Sequence, residues 1–330
     1  MTTKEHGRVS IKEVAERAGV SIGTVSNVVN RPDRVAASTR DRVQAAIDAL
    51  GYVRSESARH LRAGSSRMIA MLALDMTNPF FAEVAHGAEE IATARGLGVM
   101  QCSSGQDAEV ESLYLSLFAE QRVRGVLIAP AAAGSVEVLA RQGIPHVVVD
   151  GSADGAACSV SVDDVLGGEL AVGHLVGAGH DRIACVTGPL HLPQCRDRRL
   201  GGARAAELAV LEVPTMDVAG GRDAGSRLLG MPDRPSAVFC ANDLLALGVL
   251  QALFAAGLRV PDDIALVGYD DIEFASAAAV PLTSVRRPAR RLGRTAADLL
   301  LRESGETDHS HEHVVYQPEL VVRRSSLPLR

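Results

Sequence analysis

From Met68 onward, short runs rich in Val, Ile, Leu and Ala alternate with helix-length stretches, and this alternation constrains the fold more than any other feature. The runs predict strands at Met68–Leu74, Gly98–Cys102, Val126–Ala129, His146–Val149, Ile183–Val186, Ala237–Cys240 and Ile264–Val267. The stretches between them predict helices that include Phe81–Arg95, Leu166–Val176 and Asp243–Ala256. Fully apolar strands alternating with helices build parallel sheets covered on both faces. A chain of 330 residues is too long for one core, so the pattern points to two α/β lobes.

Aromatic residues make up 3% of the chain and Trp is absent, so the cores must be built from Ala, Val, Leu and Ile. No apolar run approaches the roughly 20 residues of a membrane span. The start, MTTKEHGRVSIKEVAERAGV, lacks the apolar stretch of a signal peptide. Cys102, Cys158, Cys185, Cys195 and Cys240 are far apart and form no C-x-x-C pair, which suggests reduced thiols in the cytoplasm. The net charge of -6 is unevenly spread: residues 1–67 carry +5 and the remainder -11. A basic head on an acidic body suggests that only the head meets a polyanion.

The head is dense in helix signals. Ser10 and Glu13 form a capping box, followed by Ile11, Val14, Ala15 and Ala18 at helical spacing. Gly19 ends this helix, Ser21 caps a second with an apolar stripe of Val25, Val28 and Val29, and Pro32 stops it. Ser38 with Asp41 is expected to start a third helix, packed through Val43, Ala46, Ile47 and Leu50 and closed by Gly51. Two helices joined by a short turn, with a third behind them, form a helix-turn-helix unit whose second helix enters the DNA major groove. That leaves Ile22, Gly23 and Asn27 facing outward, with Ser21, Thr24 and Ser26 able to reach phosphates. Asn27 can pair with an adenine, Ile22 can touch only a thymine methyl, and Gly23 reads nothing. So few base contacts leave part of the specificity to DNA shape and half-site spacing. The rival use of such a unit is a helical hairpin for protein contacts.

The run IKEVAERAGVSIGTVSNVVNRPDRVAASTRDRVQAAIDALGYVRSESARHLR strongly resembles the head of the LacI/GalR family of bacterial transcription regulators. Ordered matches continue as NPFFAE at 78–83, RVRGVLIAP at 122–130, GHDRIACVTGP at 179–189, PSAVFCANDLLALG at 235–248, VPDDIALVGYDDIEFA at 260–275 and PLTSV at 281–285. Within the family the likeness is greatest to ribose-operon repressors, through GYDDIEFAS and the Gly pair of VDDVLGGELA.

The resemblance implies a helix-turn-helix domain at 8–53, a hinge helix and linker at 54–67, and a periplasmic-binding-protein-like effector domain at 68–330. The N-lobe would comprise 68–161 and 287–317, and the C-lobe 162–286 and 318–330, with crossovers near Val160–Asp163, Ser284–Arg287 and Val315–Pro318. In the hinge, Leu61 would wedge into a minor-groove step and Ala58 would share its face. Arg54 stands where relatives often have Pro after Tyr52 and Val53. The DNA-contacting set implied is Ser21, Ile22, Gly23, Thr24, Ser26, Asn27, Asn30, Tyr52, Ala58 and Leu61.

Ligands of open α/β sheets bind beyond the carboxyl ends of the strands. Asp150, Arg198, Asn242 and Asp270 lie after such strands, and their mixed donors and acceptors suit vicinal hydroxyls. The family motif places the same four on sugar hydroxyls, and Phe80 and Phe81 on the effector's flat face, with Gln194 and Arg196 as second choices. Asp243 and Asp271 are equally well explained as helix caps. The segment from Glu207 to Ser226 is shorter than in relatives and has no aromatic near its Gly pair.

Other motifs carry less. Gly19–Gly23 matches G-x-S-x-G but follows a helix, where a nucleophile elbow needs a strand. His309, His311 and His313 alternate around Glu312 without H-E-x-x-H spacing and read as a polar loop with adventitious metal affinity. The sequence therefore predicts a non-enzymatic, cofactor-free homodimer in the cytoplasm. It would bind a near-palindromic operator and a small sugar, a ribose-like pentose by preference. The alternatives are a purine co-repressor or a sugar-processing enzyme joined to a DNA-binding head.

Overall fold

The computed structural model describes residues 9–52, 66–132, 134–151, 155, 157–304 and 310–327. It divides into two compact units, Met1–Gly64 and Ser65–Arg330.

The first unit contains helices α1 (Ile11–Ala18), α2 (Ile22–Asn30) and α3 (Ala37–Leu50). Ser10 and Glu13 cap α1 reciprocally: the Ser10 N–H donates to Glu13 Oε2 at 2.7 Å and the Glu13 N–H to Ser10 Oγ at 3.4 Å. The Ser10 backbone N–H holds the Glu13 carboxyl below its ordinary range. Gly19 takes the left-handed φ of 62° that lets the chain turn into α2, and Ser21 Oγ accepts from the Thr24 N–H at 3.1 Å. Val14, Ala15, Ala18, Val25, Val28, Val43 and Ala46 are buried together as the core. Val29 is only partly buried. The start of α3 corrects the expectation: the helix begins at Ala37 behind Ala36, which offers no side-chain cap, so Ser38 already lies inside it.

The second unit holds two six-stranded sheets. The first contains β1 (Met68–Ala73), β2 (Gly98–Ser103), β3 (Val126–Ile128), β4 (His146–Val149), β5 (Cys158–Val162) and β11 (His313–Tyr316), in the order β11-β5-β4-β3-β1-β2. Every pairing in it is parallel. The second contains β6 (Ile183–Thr187), β7 (Leu208–Glu212), β8 (Ala237–Cys240), β9 (Ala265–Asp270), β10 (Thr283–Arg286) and β12 (Glu319–Val321), in the order β12-β10-β9-β8-β6-β7. Its strands are parallel except at the edge, where β12 runs antiparallel to β10. The two sheets define the two lobes of a periplasmic-binding-protein-like fold. The chain passes between them after β5, β10 and β11. Among the described residues no helix is long and apolar enough to cross a membrane.

Helices α4 (Pro79–Ala94), α5 (Ala108–Glu120), α6 (Ser135–Arg141), α7 (Asp164–Gly177), α8 (Pro193–Ala205), α9 (Val218–Leu229), α10 (Asp243–Ala255), α11 (Glu273–Ala277) and α12 (Ala289–Glu303) complete the lobes. Gly167 has a steric role near the cleft: a Cβ there would stand 2.0 Å from the Tyr269 hydroxyl, so only glycine lets α7 rest on that ring.

Candidate functional site

In the head, α2 turns Val25 and Val28 into the core and leaves Ile22, Gly23 and Asn27 exposed. Its first turn carries no acidic residue, so the positive end of the helix dipole there is not offset by a nearby carboxylate. Ser21 Oγ and Thr24 Oγ1 stand 2.9 Å apart at this end. Asn30 folds back along the helix, donating to the Ser26 carbonyl at 2.7 Å and Ser26 Oγ at 3.1 Å. These bonds tie both side chains to α2. Tyr52 packs half-buried against the core. Ala58, Leu61 and the rest of the hinge lie outside the described residues.

In the body, the strand ends of both lobes meet in a cleft. Phe81, Asp150, Arg198, Asn242 and Asp270 line it, together with Gln194. Asp150 and Asp270 adopt left-handed backbone at φ 61° and 101°, a conformation costly for a residue with a Cβ and concentrated at functional sites. Asp270 is the last residue of β9, which runs farther than the sequence pattern suggested.

The charge at the centre of this cleft is organised by a residue that the sequence pattern did not single out. Arg287, buried at the crossover after β10, donates to Asp150 of the first lobe through Nη1. It reaches Asp270 of the second through Nε at 2.9 Å and Nη2 at 2.6 Å. Its guanidinium lies 3.4 Å from the centre of the Phe80 ring. Phe80 is thus 2% exposed beneath Arg287 and is not among the residues lining the cleft, which corrects its expected place on a ligand face. Asn78 adds a second link between lobes, its Nδ2 donating to Asp270 Oδ2 at 3.1 Å while its Oδ1 caps α4.

Arg198 is 1% exposed and held on three sides. Its Nε donates to Asp164 Oδ1 at 2.9 Å, its Nη1 to the Ala241 carbonyl at 2.7 Å, and Tyr269 lies flat against it at 4.0 Å. The Tyr269 hydroxyl completes the group by donating to Asp164 Oδ1 at 2.7 Å. Arg198 Nη2 remains buried without an acceptor, and Gln106 Oε1 is buried without a donor, among the described residues. Both residues line the cleft. A buried unpartnered donor and a buried unpartnered acceptor in one cleft are groups that a hydroxyl, which both donates and accepts, can satisfy.

The helix-cap account is redistributed. Asn242, not Asp243, caps α10, its Oδ1 accepting from the Leu245 N–H at 2.8 Å and its Nδ2 donating to the Met216 carbonyl. Asp243 accepts from Ser284 Oγ at 2.7 Å and the Ile272 N–H at 2.9 Å. Burial, with Asp270 nearby, pushes its carboxyl well above the ordinary range. Asp271 pairs with Arg286 and Arg323 and caps no helix. Arg196 is exposed and paired with Asp197.

Comparison with known proteins places both units. The family profile "Bacterial regulatory proteins, lacI family" matches residues 10–55, and "Periplasmic binding protein-like domain" matches residues 172–326. The HTH-type transcriptional repressor PurR of Photobacterium profundum is 36% identical over 327 residues, 96% of this chain and 98% of its own length. The lac repressor dimer bound to operator and the anti-inducer ONPF has a TM-score of 0.80 at 30% identity, covering 98% of this chain and 100% of its own. A LacI family transcriptional regulator from Enterococcus faecium with bound ribose has a TM-score of 0.72 at 30% identity, covering 80% and 100%. With a lacI-type head, two such lobes and this identity along its length, the chain belongs to the lacI family of bacterial regulatory proteins and is a DNA-binding transcriptional repressor.

Proposed function

We propose that the protein is a homodimer that represses a sugar-utilisation operon and is released from its operator by a small, uncharged, polyhydroxylated effector, a pentose such as ribose being the preferred class. The observation that carries this reading is the unpartnered pair in the cleft, the buried donor of Arg198 and the buried acceptor of Gln106. Around them Asp75, Asp150, Asn242 and Asp270 crowd the cleft with oxygen acceptors and amides that suit hydroxyls. Phe81 offers one apolar face to a sugar ring. An anionic effector would bring its charge against Asp75, Asp150 and Asp270.

In the head, Ser21, Thr24 and the N–H groups of α2 fix the register on phosphates, Asn27 reads a base edge, and Ile22 touches a methyl. Residues 8–53 would form this domain and 54–67 the hinge, with Leu61 as minor-groove wedge beside Ala58. The effector would act by binding the lobe arrangement that does not support the hinge on DNA.

A second reading follows from relatives that carry the name PurR, such as that of Vibrio campbellii at 38% identity. It replaces the sugar with a purine that strengthens DNA binding. The cleft offers a flat base only Phe81 on one side and flexible Met216 among its other apolar lining groups.

Thermal-shift titration of the full chain against pentoses, hexoses and purines separates these readings. A pentose that raises the melting temperature in wild type but not in Gln106→Ala or Arg198→Lys supports the proposal. Stabilisation by a purine alone would overturn it.

A further inference from the structure

The three histidines of the ESGETDHSHEH stretch form no recognised metal motif in sequence, but the fold brings one of them to the glutamate that opens the stretch and to a cysteine 153 positions upstream. Cys158, at the start of β5, and Glu303, at the end of α12, meet His311 just before β11. Their Sγ, carboxylate oxygen and imidazole nitrogen all lie within 4.8 Å of one another. Cys158 Sγ and His311 Nδ1 are 4.0 Å apart. We propose that these residues form a binding site for a zinc-class divalent cation, apart from the effector cleft.

Three features support it besides proximity. Glu303 Oε2 is buried without a hydrogen-bond partner among the described residues, a cost that a bound cation removes. The donor set of thiolate, imidazole and carboxylate matches zinc, which leaves a fourth tetrahedral position for water. With bond lengths of about 2.0–2.3 Å the donors of such a site stand roughly 3.3–3.6 Å apart, so this cluster closes by small side-chain movements. Cys158 is buried and Glu303 half-buried, whereas His311 is exposed and provides an entry path.

The surroundings are compatible with a cation. The Glu312 N–H donates to Cys158 Sγ at 3.3 Å and steadies the sulfur. Arg302, the nearby positive charge, is engaged by Glu312 at 2.7 Å and Asp298 at 3.4 Å. Burial holds the Cys158 thiol protonated above its ordinary range, so cation binding breaks the S–H bond, forms the metal–sulfur bond and releases one proton to solvent. His313, by contrast, has its Nδ1 2.9 Å from Ser159 Oγ across the β5–β11 pairing and stands outside the cluster.

The test uses the full chain, stripped with a chelator and titrated with zinc chloride against a chromogenic competitor. One zinc should bind per chain and raise the melting temperature. Cys158→Ser, Glu303→Gln and His311→Ala should each weaken binding by at least about tenfold, the scale of loss seen even for outer-shell partners, while His313→Ala leaves it unchanged. Cobalt(II) supplies a readout on the unmutated chain, where a thiolate-to-metal charge-transfer band is expected. Absence of stoichiometric binding, or wild-type affinity in Cys158→Ser, would overturn the site. So would a cobalt spectrum without that band, because it would put the ion on histidines alone.

Discussion

In the head, the groups that place α2 act on backbone a few positions away: Ser10 on Glu13, Ser21 on Thr24, and Gly19 on the carbonyls of Ala15 and Glu16. In the cleft, Arg287 is joined to Asp150 137 positions upstream and to Asp270 17 positions upstream, and Asn78 reaches Asp270 across 192. The head presents an exposed helix for which DNA supplies the partner. The cleft is a buried charge network that connects both lobes and, among the described residues, leaves two buried polar atoms without a partner. One region is built from local capping and a small aliphatic core, the other from ion pairs that exist only when three distant segments have come together.

The largest difference should appear when one member of each arrangement is removed. Arg287→Ala leaves Asp150 and Asp270 without their shared partner in a buried site, and should cost the body about 3–5 kcal/mol in urea unfolding. An unchanged midpoint would show that the network does not hold the lobes. Asn27→Ala should weaken operator binding by about 1–3 kcal/mol while leaving the melting of the body unchanged. Equal binding in anisotropy titrations would remove Asn27 from base reading. Ser10→Ala should cost the head about 1 kcal/mol, seen as earlier loss of helical signal from that unit. A loss as large as that of Arg287→Ala would contradict the contrast between the regions.

The smallest effect concerns acid. Burial holds the imidazoles of His174 and His180 in the C-lobe below the ordinary histidine range. The unfolded chain therefore takes up protons before the folded one does. Stability from these groups is full above an unfolded pKa of about 6.5 and falls as pH drops through the lowered folded values. The described residues of the head, 9–52, contain no histidine. His180→Gln should flatten the slope of the body, and an unaltered slope would assign the effect elsewhere.

This contrast also explains what was legible in the sequence. Caps, turns and apolar spacing are local, so α1, α2 and most of α3 follow from residues 10–51, with the error confined to Ser38. Seven of the twelve strands among the described residues, β1–β4, β6, β8 and β9, were readable for the same reason, whereas β7, β10, β11 and β12 were not singled out. β5 was not, because Ser159 and Ser161 interrupt the valines of CSVSV, and its outer partner β11 comes from a segment more than 150 positions later. Asp150, Arg198 and Asp270 could be placed at the cleft because they follow strand ends of α/β sheets. Arg287 was not, since an arginine normally reads as surface and only the crossover buries it over Phe80. That same placement took Phe80 away from the ligand face. Residues at inferred crossovers are candidates for cleft residues for this reason.

The central claim is that occupancy of the cleft sets the grip of the head on DNA. Fluorescence anisotropy of the full chain on an operator fragment selected from random DNA, with and without the sugar that stabilises the body, tests it most directly. The account predicts at least about tenfold weaker operator binding with sugar present, within the usual range of allosteric coupling, and no such shift in Gln106→Ala. A sugar that stabilises the protein while leaving the operator titration unmoved would contradict it.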